Sequence, residues 1–110
     1  MEILITLPLE EHILPNGQQR LLEKQVKHRG IWSIHLSDAD PWPSDPHGDR
    51  VDAKEKLNLL TGEVYDPTNR KHIYSLSKKS MNYIYRQIML HEYKPVIEKL
   101  QSQADKITYL

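Results

Sequence analysis

The 110-residue sequence contains no cysteine and no phenylalanine. The lack of cysteine excludes disulfide bonds, zinc sites built from thiolates and a cysteine nucleophile. The aromatic side chains are instead six tyrosines and two tryptophans, which combine an apolar ring with a polar tip. Any binding surface built from aromatic residues can therefore also form hydrogen bonds.

Long apolar runs and an excess of one charge are also missing. The first apolar stretch ends at Pro8 and has no basic residues before it, so it does not fit a signal peptide. No window reaches the roughly 18 apolar residues that a membrane-spanning helix requires. The formal net charge of zero argues against strong nonspecific nucleic-acid binding. We therefore expect a cytoplasmic protein with no membrane partner, and a single domain over residues 1–110.

The first two thirds of the sequence favour short strands. Residues 2–7 alternate in the manner of a strand, and "EVYD" and "KHIYSL" predict two more on either side of a turn. Residues 18–29 fit a helix or a strand. We favour a strand, because Asn16-Gly17 would then close one hairpin and Gly30 the next, which would pair this strand with "IWSIHL". In "GIWSIHL", alternation places Trp32, Ile34 and Leu36 on one face and His35 on the other.

The last third favours helices. Ser77 can cap a helix in which Met81, Ile84 and Ile88 recur on one face, and Pro95 can begin a second helix. The predicted fold class is α+β, with a small antiparallel sheet packed against one or two C-terminal helices. The sheet-rich part would occupy about residues 1–76 and the helical part about 77–108.

One loop concentrates chemical groups. The stretch "HLSDADPWPSDPHGDR", residues 35–50, holds three prolines, four aspartates and two histidines around Trp42. Each X-Pro step restricts the backbone of two residues, so this loop can hold side chains in place at a low entropic cost. Such stiffness suits a functional site, and equally suits an ordered surface loop.

Histidine acid–base chemistry is one function this loop can support. His35 at a strand end and His47 in the loop could flank a cleft, with one ring removing a proton and the other supplying one. Lys56 or Lys79 would neutralise a phosphate, which completes the minimum needed to cleave RNA by attack of its 2′-hydroxyl. The catalytic residues predicted for this chemistry are His47, His35 and Lys56. Isolated surface histidines are the simpler alternative.

The residues predicted to bind substrate are Trp42, Thr61, Tyr65, Lys78, Lys79 and Arg86. An indole can stack on a base, and a tyrosine with basic neighbours suits phosphate or base contacts. Each also has a structural alternative. Trp42 can pack under its own loop, Thr61 can be part of a turn, and the basic face of the helix can bind a partner protein.

We predict no cofactor, and a divalent metal is the alternative. Oxygen and nitrogen ligands suited to such an ion accumulate in the same loop, at Asp38, Asp40, Asp45, His47 and Asp49, with His35 close in sequence. Their spacing matches neither the calcium-binding loop of EF-hands nor the His-Glu-x-x-His motif. Acidic proline-rich loops are often only solvated turns.

The segments "DPWPSDPHGD", "KLNLLTGEVYD" and "LSKKSMNYIY" resemble small bacterial single-domain proteins of uncharacterised function that share a loop of the Pro-Ser-x-Pro-His type. The resemblance covers about residues 30–90 and implies a bacterial, single-domain protein. A looser likeness is to small ribonuclease toxins that share the fold of barnase, colicin ribonucleases and mRNA-cleaving toxins. Those proteins use His, Lys, Arg, Thr or Tyr on a sheet, but their helices precede the sheet.

Two hypotheses follow. The first is a small endoribonuclease-like protein of toxin type that acts on RNA through histidine acid–base chemistry. The second is a non-enzymatic interaction module or regulator in a larger bacterial system, which would bind a cognate protein partner or form a homodimer through the Trp42 loop and the C-terminal helices.

Overall fold

The computed structural model describes residues 2–15, 19–21, 30–36 and 41–110 of the chain. In this part of the chain, eight strands form one curled antiparallel sheet. The strands are β1 (Ile3–Leu7), β2 (Glu11–Ile13), β3 (Gln19–Leu21), β4 (Gly30–His35), β5 (His47–Arg50), β6 (Lys56–Asn58), β7 (Glu63–Asp66) and β8 (Lys71–Leu76). Their order across the sheet is β1-β4-β5-β6-β7-β8-β2-β3.

Two helices follow the last strand. Helix α1 (Lys78–Leu90) begins after Ser77, whose side-chain oxygen accepts a hydrogen bond from the backbone N–H of Ser80. Helix α2 (Lys94–Ser102) has Pro95 in its first turn, where the missing N–H removes no intrahelical hydrogen bond. Helix α1 packs against β1, β8 and α2. Within the described ranges, no helix is long and apolar enough to cross a membrane.

The hydrophobic core lies between α1 and one face of the sheet. Along β1, Ile3, Ile5 and Leu7 are buried while Leu4 is 57% exposed. Trp32 and Ile34 of β4 are fully buried on the same side, and α1 contributes the buried side chains of Met81, Ile84 and Ile88. Strand alternation therefore directs the intervening residues, including His35, to the opposite face of the sheet.

The α+β prediction and the C-terminal helices are confirmed, but the predicted small sheet is wrong in size. The strands that the sequence did not reveal are short and polar, so they carry no hydrophobic alternation. The strand interpretation of residues 18–29 is confirmed at Gln19–Leu21, which pairs with β2. The predicted pairing of this strand with β4 is wrong, because the neighbours of β4 in the sheet are β1 and β5. Asn16-Gly17 and residues 22–29 lie outside the described residues.

Strand β5 corrects the prediction that His47 belongs to a loop. Its sequence, His-Gly-Asp-Arg, pairs with β4 on one side and β6 on the other. Gly48 faces the core, and a Cβ there would lie 3.1 Å from Ile34 Cδ1 and 3.3 Å from Leu57 Cβ. The side chains of Ile34 and Leu57 therefore fill the space over Gly48, and the residue at this position has to be small.

Candidate active site

Three central strands bring the predicted catalytic residues to the face of the sheet opposite the core. His35 of β4 is directly paired with His47 of β5, and Asp49 of β5 is directly paired with Lys56 of β6. Directly opposed residues on antiparallel strands have their side chains on the same face and in contact range. The pairing thus gathers His35, His47, Asp49 and Lys56 into one group, which we call the histidine cluster.

Asp49 is the centre of the histidine cluster. Its Oδ2 lies 2.6 Å from His35 Nε2 and 3.6 Å from His47 Nε2, and its Oδ1 accepts a 2.7 Å hydrogen bond from Lys56 Nζ. Burial alone would raise the pKa of Asp49, but the hydrogen bonds from Lys56 and His35 outweigh it and hold the pKa below its usual value. Asp49 is therefore a carboxylate that orients its neighbours by accepting hydrogen bonds.

His35 has an acceptor oxygen at each ring nitrogen. Nε2 faces the Asp49 carboxylate at 2.6 Å, and Nδ1 lies 3.3 Å from the backbone carbonyl of Leu36. Neither oxygen can donate a proton, so each hydrogen bond requires that the ring nitrogen facing the oxygen carry the proton. His35 can therefore act as a proton donor through a ring nitrogen that carries hydrogen.

His47 has a different environment. Its side chain is only 5% exposed, whereas those of His35, Asp49 and Lys56 are 30%, 34% and 31% exposed. Burial, followed by the positive charges of His35 and Lys56, lowers the pKa of His47 more than Asp49 and a backbone hydrogen bond at Ser44 raise it. The neutral ring is favoured, so His47 suits the role of proton acceptor.

The two rings are in direct contact. Their centroids lie 4.4 Å apart with an interplanar angle of 63°, an edge-to-face arrangement. The site therefore combines a ring suited to donate a proton, a ring suited to accept one and an ammonium group on one face of the sheet. That arrangement can perform general acid–base chemistry on a bound anion.

The proline-containing loop, residues 41–46, leads directly into His47. Ser44 Oγ donates to the Pro46 carbonyl at 2.6 Å and accepts a hydrogen bond from the Leu59 backbone N–H at 3.1 Å. The Asp45 carbonyl accepts a hydrogen bond from Gln103 Nε2 at 2.8 Å, which ties the loop to the end of α2. Hydrogen bonds to two other parts of the fold, together with the prolines, therefore fix the position of the loop.

Beyond Lys56, the same face continues with aromatic residues. Tyr65 of β7 is directly paired with Lys56 and also with His72 of β8. The Trp42 and Tyr65 rings lie 5.4 Å apart, and the Arg70 guanidinium lies 4.5 Å from the centroid of the Trp42 ring. Trp42 and Tyr65 were predicted to bind substrate, whereas His72 and Arg70 were not, because nothing in the sequence places them beside Trp42.

Three of the histidine-cluster residues could hold a metal ion. One ligand atom each from His35, His47 and Asp49 lies within 4.8 Å of the others, a donor set that suits Zn²⁺ and similar ions. Asp45 points elsewhere, with its Oδ2 3.8 Å from Lys99 Nζ, and Asp38 and Asp40 lie outside the described residues. Both oxygens of Asp49 already face hydrogen-bond donors within the cluster.

The other predicted substrate-binding residues lie elsewhere. Thr61 forms part of the turn between β6 and β7, where its Oγ1 donates to Glu63 Oε1 at 3.1 Å. Lys78, Lys79 and Arg86 are on α1, which packs on the core face of the sheet. With Pro8, Leu9 and Tyr83 they line a cavity of about 670 Å³. The structure therefore does not bring these three cations to the histidine cluster.

A buried polar network on the core face was not anticipated from the sequence. Glu10, 1% exposed, accepts hydrogen bonds from Trp32 Nε1 at 2.9 Å and from Arg50 Nη2, and it lies 2.6 Å from His12 Nε2. Arg50 in turn donates to Tyr74 Oη at 3.0 Å. Among the described residues, no buried side-chain nitrogen or oxygen lacks a hydrogen-bond partner. The network therefore stabilises the fold and is fully satisfied.

Comparisons of the chain with protein-family models, with curated proteins and with solved structures find no match.

Proposed function

We propose that this protein cleaves RNA by histidine acid–base chemistry without a metal ion. The observation that supports the proposal most directly is the convergence of His35, His47 and Lys56 on Asp49, on the face of the sheet opposite the core. One proton acceptor, one proton donor and one cation are the groups needed for intramolecular phosphoryl transfer in RNA.

The proposed reaction assigns one step to each group. His47 Nε2 accepts the proton of the 2′-hydroxyl, and the 2′-oxygen forms a bond to phosphorus. The bond between phosphorus and the 5′-oxygen breaks, and His35 donates the proton of Nδ1, the ring nitrogen that does not face Asp49, to the departing oxygen. The products are a 2′,3′-cyclic phosphate and a 5′-hydroxyl, and the two rings end with their protons exchanged.

Lys56 would stabilise the charge that develops on phosphorus. Its ammonium group has three N–H donors, and the contact with Asp49 Oδ1 uses one of them. The remaining donors can reach phosphate oxygens beside the two rings. Asp49 is a positioning residue in this scheme, because it orients His35 and Lys56 and does not itself contact the substrate.

The test is cleavage of a fluorogenic single-stranded oligonucleotide that contains one ribonucleotide, with and without EDTA. We expect cleavage that survives EDTA, a cyclic phosphate on the 5′ fragment, and a loss of about 100-fold or more in His47→Ala. His91→Ala is the matched control, since His91 is an exposed histidine at the end of α1. An active His47→Ala protein with an unchanged melting curve would contradict the proposal, and cleavage abolished by EDTA would assign the cluster to a metal.

A further inference from the structure

The rings of Trp42, Tyr65 and His72 lie in a row beside the histidine cluster, and we call this group the aromatic row. From Lys56, the direct strand partners continue to Tyr65 and then to His72, whose ring centroid lies 5.6 Å from that of Tyr65. Trp42 adds its indole from the proline-containing loop, 5.4 Å from Tyr65. Neighbouring strands lie about 4.8 Å apart, so the row extends roughly 10 Å from Lys56 across β7 and β8.

An irregularity in strand pairing creates the Tyr65–His72 contact. The register between β7 and β8 shifts between Val64 and Tyr65, so that Val64 pairs with Tyr74 while Tyr65 pairs with His72. Such a bulge changes the direction in which the following side chains point. Here it places His72 beside Tyr65, on the side of the sheet that carries the histidine cluster.

Arg70 completes the row from the turn before β8. Its φ of 58° is in the left-handed region, which residues other than glycine, asparagine and aspartate seldom adopt. Its backbone N–H donates to the Asp66 carbonyl at 2.7 Å, and its guanidinium lies over the Trp42 ring. The turn therefore holds an exposed cation against the outer end of the aromatic row.

We propose that Trp42, Tyr65, His72 and Arg70 bind the unstacked bases of single-stranded RNA next to the cleaved phosphate. Every base has a π-face that can stack on an aromatic ring or a guanidinium plane, so such a row accepts bases of any identity. In a duplex those faces are covered by neighbouring bases, and therefore paired RNA cannot stack on the aromatic row. The position of the phosphate at Lys56 rests on the proposed function; the binding of bases to the row does not.

Binding can be measured without cleavage. The probe is a fluorescein-labelled 2′-O-methyl RNA hexanucleotide, whose blocked 2′-oxygen cannot attack phosphorus, and the readout is fluorescence anisotropy. We expect wild-type protein to bind this single strand at least about tenfold more tightly than the same sequence in a duplex. Trp42→Leu should weaken binding of the single strand about tenfold, and Trp42→Tyr, which keeps a ring, should restore most of it.

Arg70→Asn tests the guanidinium with little cost to the fold, because asparagine tolerates the left-handed backbone. Its matched control is Lys71→Asn, which removes one positive charge from the next, exposed residue. We expect Arg70→Asn to weaken binding several-fold more than Lys71→Asn. Equal losses of affinity in the two variants would mean that Arg70 contributes only its charge, and would contradict stacking of its guanidinium on a base.

The two proposals fail in different ways. Unchanged affinity in Trp42→Leu, or equal affinity of wild-type protein for single strand and duplex, would overturn the base-binding row even if RNA is cleaved. Tight, Trp42-dependent binding of the hexanucleotide would support the row even if RNA with free 2′-hydroxyls is left intact, and in that case the proposed cleavage alone would be wrong.

Discussion

His35 and His47 are directly paired residues of neighbouring antiparallel strands, and their rings meet edge to face with centroids 4.4 Å apart. The two rings nevertheless have different surroundings. His35 is half-buried and hydrogen-bonds through both ring nitrogens, whereas His47 is buried and has a lowered pKa. One pair of identical side chains thus offers a proton donor and a proton acceptor at the same place.

The first prediction concerns the pH dependence of cleavage. His47 must be neutral to accept a proton, and burial together with nearby positive charge lowers its pKa below 6.5. We therefore expect the acidic limb of kcat/KM to lie below pH 6.5. Asp49→Asn removes the charge that raises the pKa of His47, so this variant should move the limb to still lower pH.

Rates of the fluorogenic cleavage from pH 4.5 to 8 would measure both effects. Asp49→Asn should also slow the reaction by roughly tenfold to 100-fold, because His35 and Lys56 lose the carboxylate that orients them. An acidic limb of kcat/KM at the same pH in Asp49→Asn as in wild type would mean that Asp49 supports the structure and does not influence the pKa of His47.

The outward direction of His35 could be predicted from the sequence, but its partners could not. In β4, apolar residues at Trp32 and Ile34 identify the buried face, and His35 necessarily points the other way. Strand β5 has no such signal, since it consists of His-Gly-Asp-Arg. Its core-facing positions are Gly48, which is covered by the side chains of Ile34 and Leu57, and Arg50, which pairs with the carboxylates of Glu10 and Glu55.

The same reasoning explains the residues that the sequence missed. The sequence indicates Asp49 only as a metal ligand, because its role at the centre of the histidine cluster depends on the pairing of β5 with both β4 and β6. A register shift places His72 beside Tyr65, and hydrophobic periodicity does not predict such a shift. Long-range pairing of short polar strands is decided by tertiary structure and not by local pattern.

The second prediction concerns the buried Glu10. Glu10→Ala should lower the free energy of unfolding by about 1–3 kcal/mol, because it removes one of the two carboxylates that pair with Arg50 and leaves the buried Trp32 Nε1 without its acceptor. Urea denaturation at pH 7 measures the loss. The matched control is Glu98→Ala on α2, where the glutamate is exposed and the change should stay within about 0.5 kcal/mol.

Glu10 also gives the stability of the protein a pH dependence with a defined sign. Burial would raise its pKa, but hydrogen bonds from His12 and Trp32 and the charge of Arg50 lower it below 4.5. The stabilisation is therefore present above about pH 4.5 and is lost as the pH falls through the folded-state pKa. The gap in unfolding free energy between wild type and Glu10→Ala should shrink in acid, and a constant gap would contradict this account.

The third prediction uses the end of α1. Glu92, directly after the C-cap residue His91, has a φ of 52°, a conformation that glycine adopts without a steric cost. Glu92→Gly should stabilise the fold by up to about 1 kcal/mol in urea denaturation. Leu90→Gly, at an exposed helical position two residues earlier, should instead destabilise it by a similar amount. Loss of stability in both variants would contradict the assignment of the left-handed cap.

The fourth prediction separates the two basic regions of the molecule. A dinucleoside monophosphate has a single phosphate, which cannot contact the histidine cluster and α1 at once, because the two lie on opposite sides of the sheet. Lys56→Ala should slow its cleavage by about 100-fold, the effect of losing one group that stabilises developing charge. The double variant Lys79→Ala/Arg86→Ala should remain within about twofold of wild type. A loss in the double variant as large as that in Lys56→Ala, with both proteins folded, would move the substrate to α1 and away from the histidines.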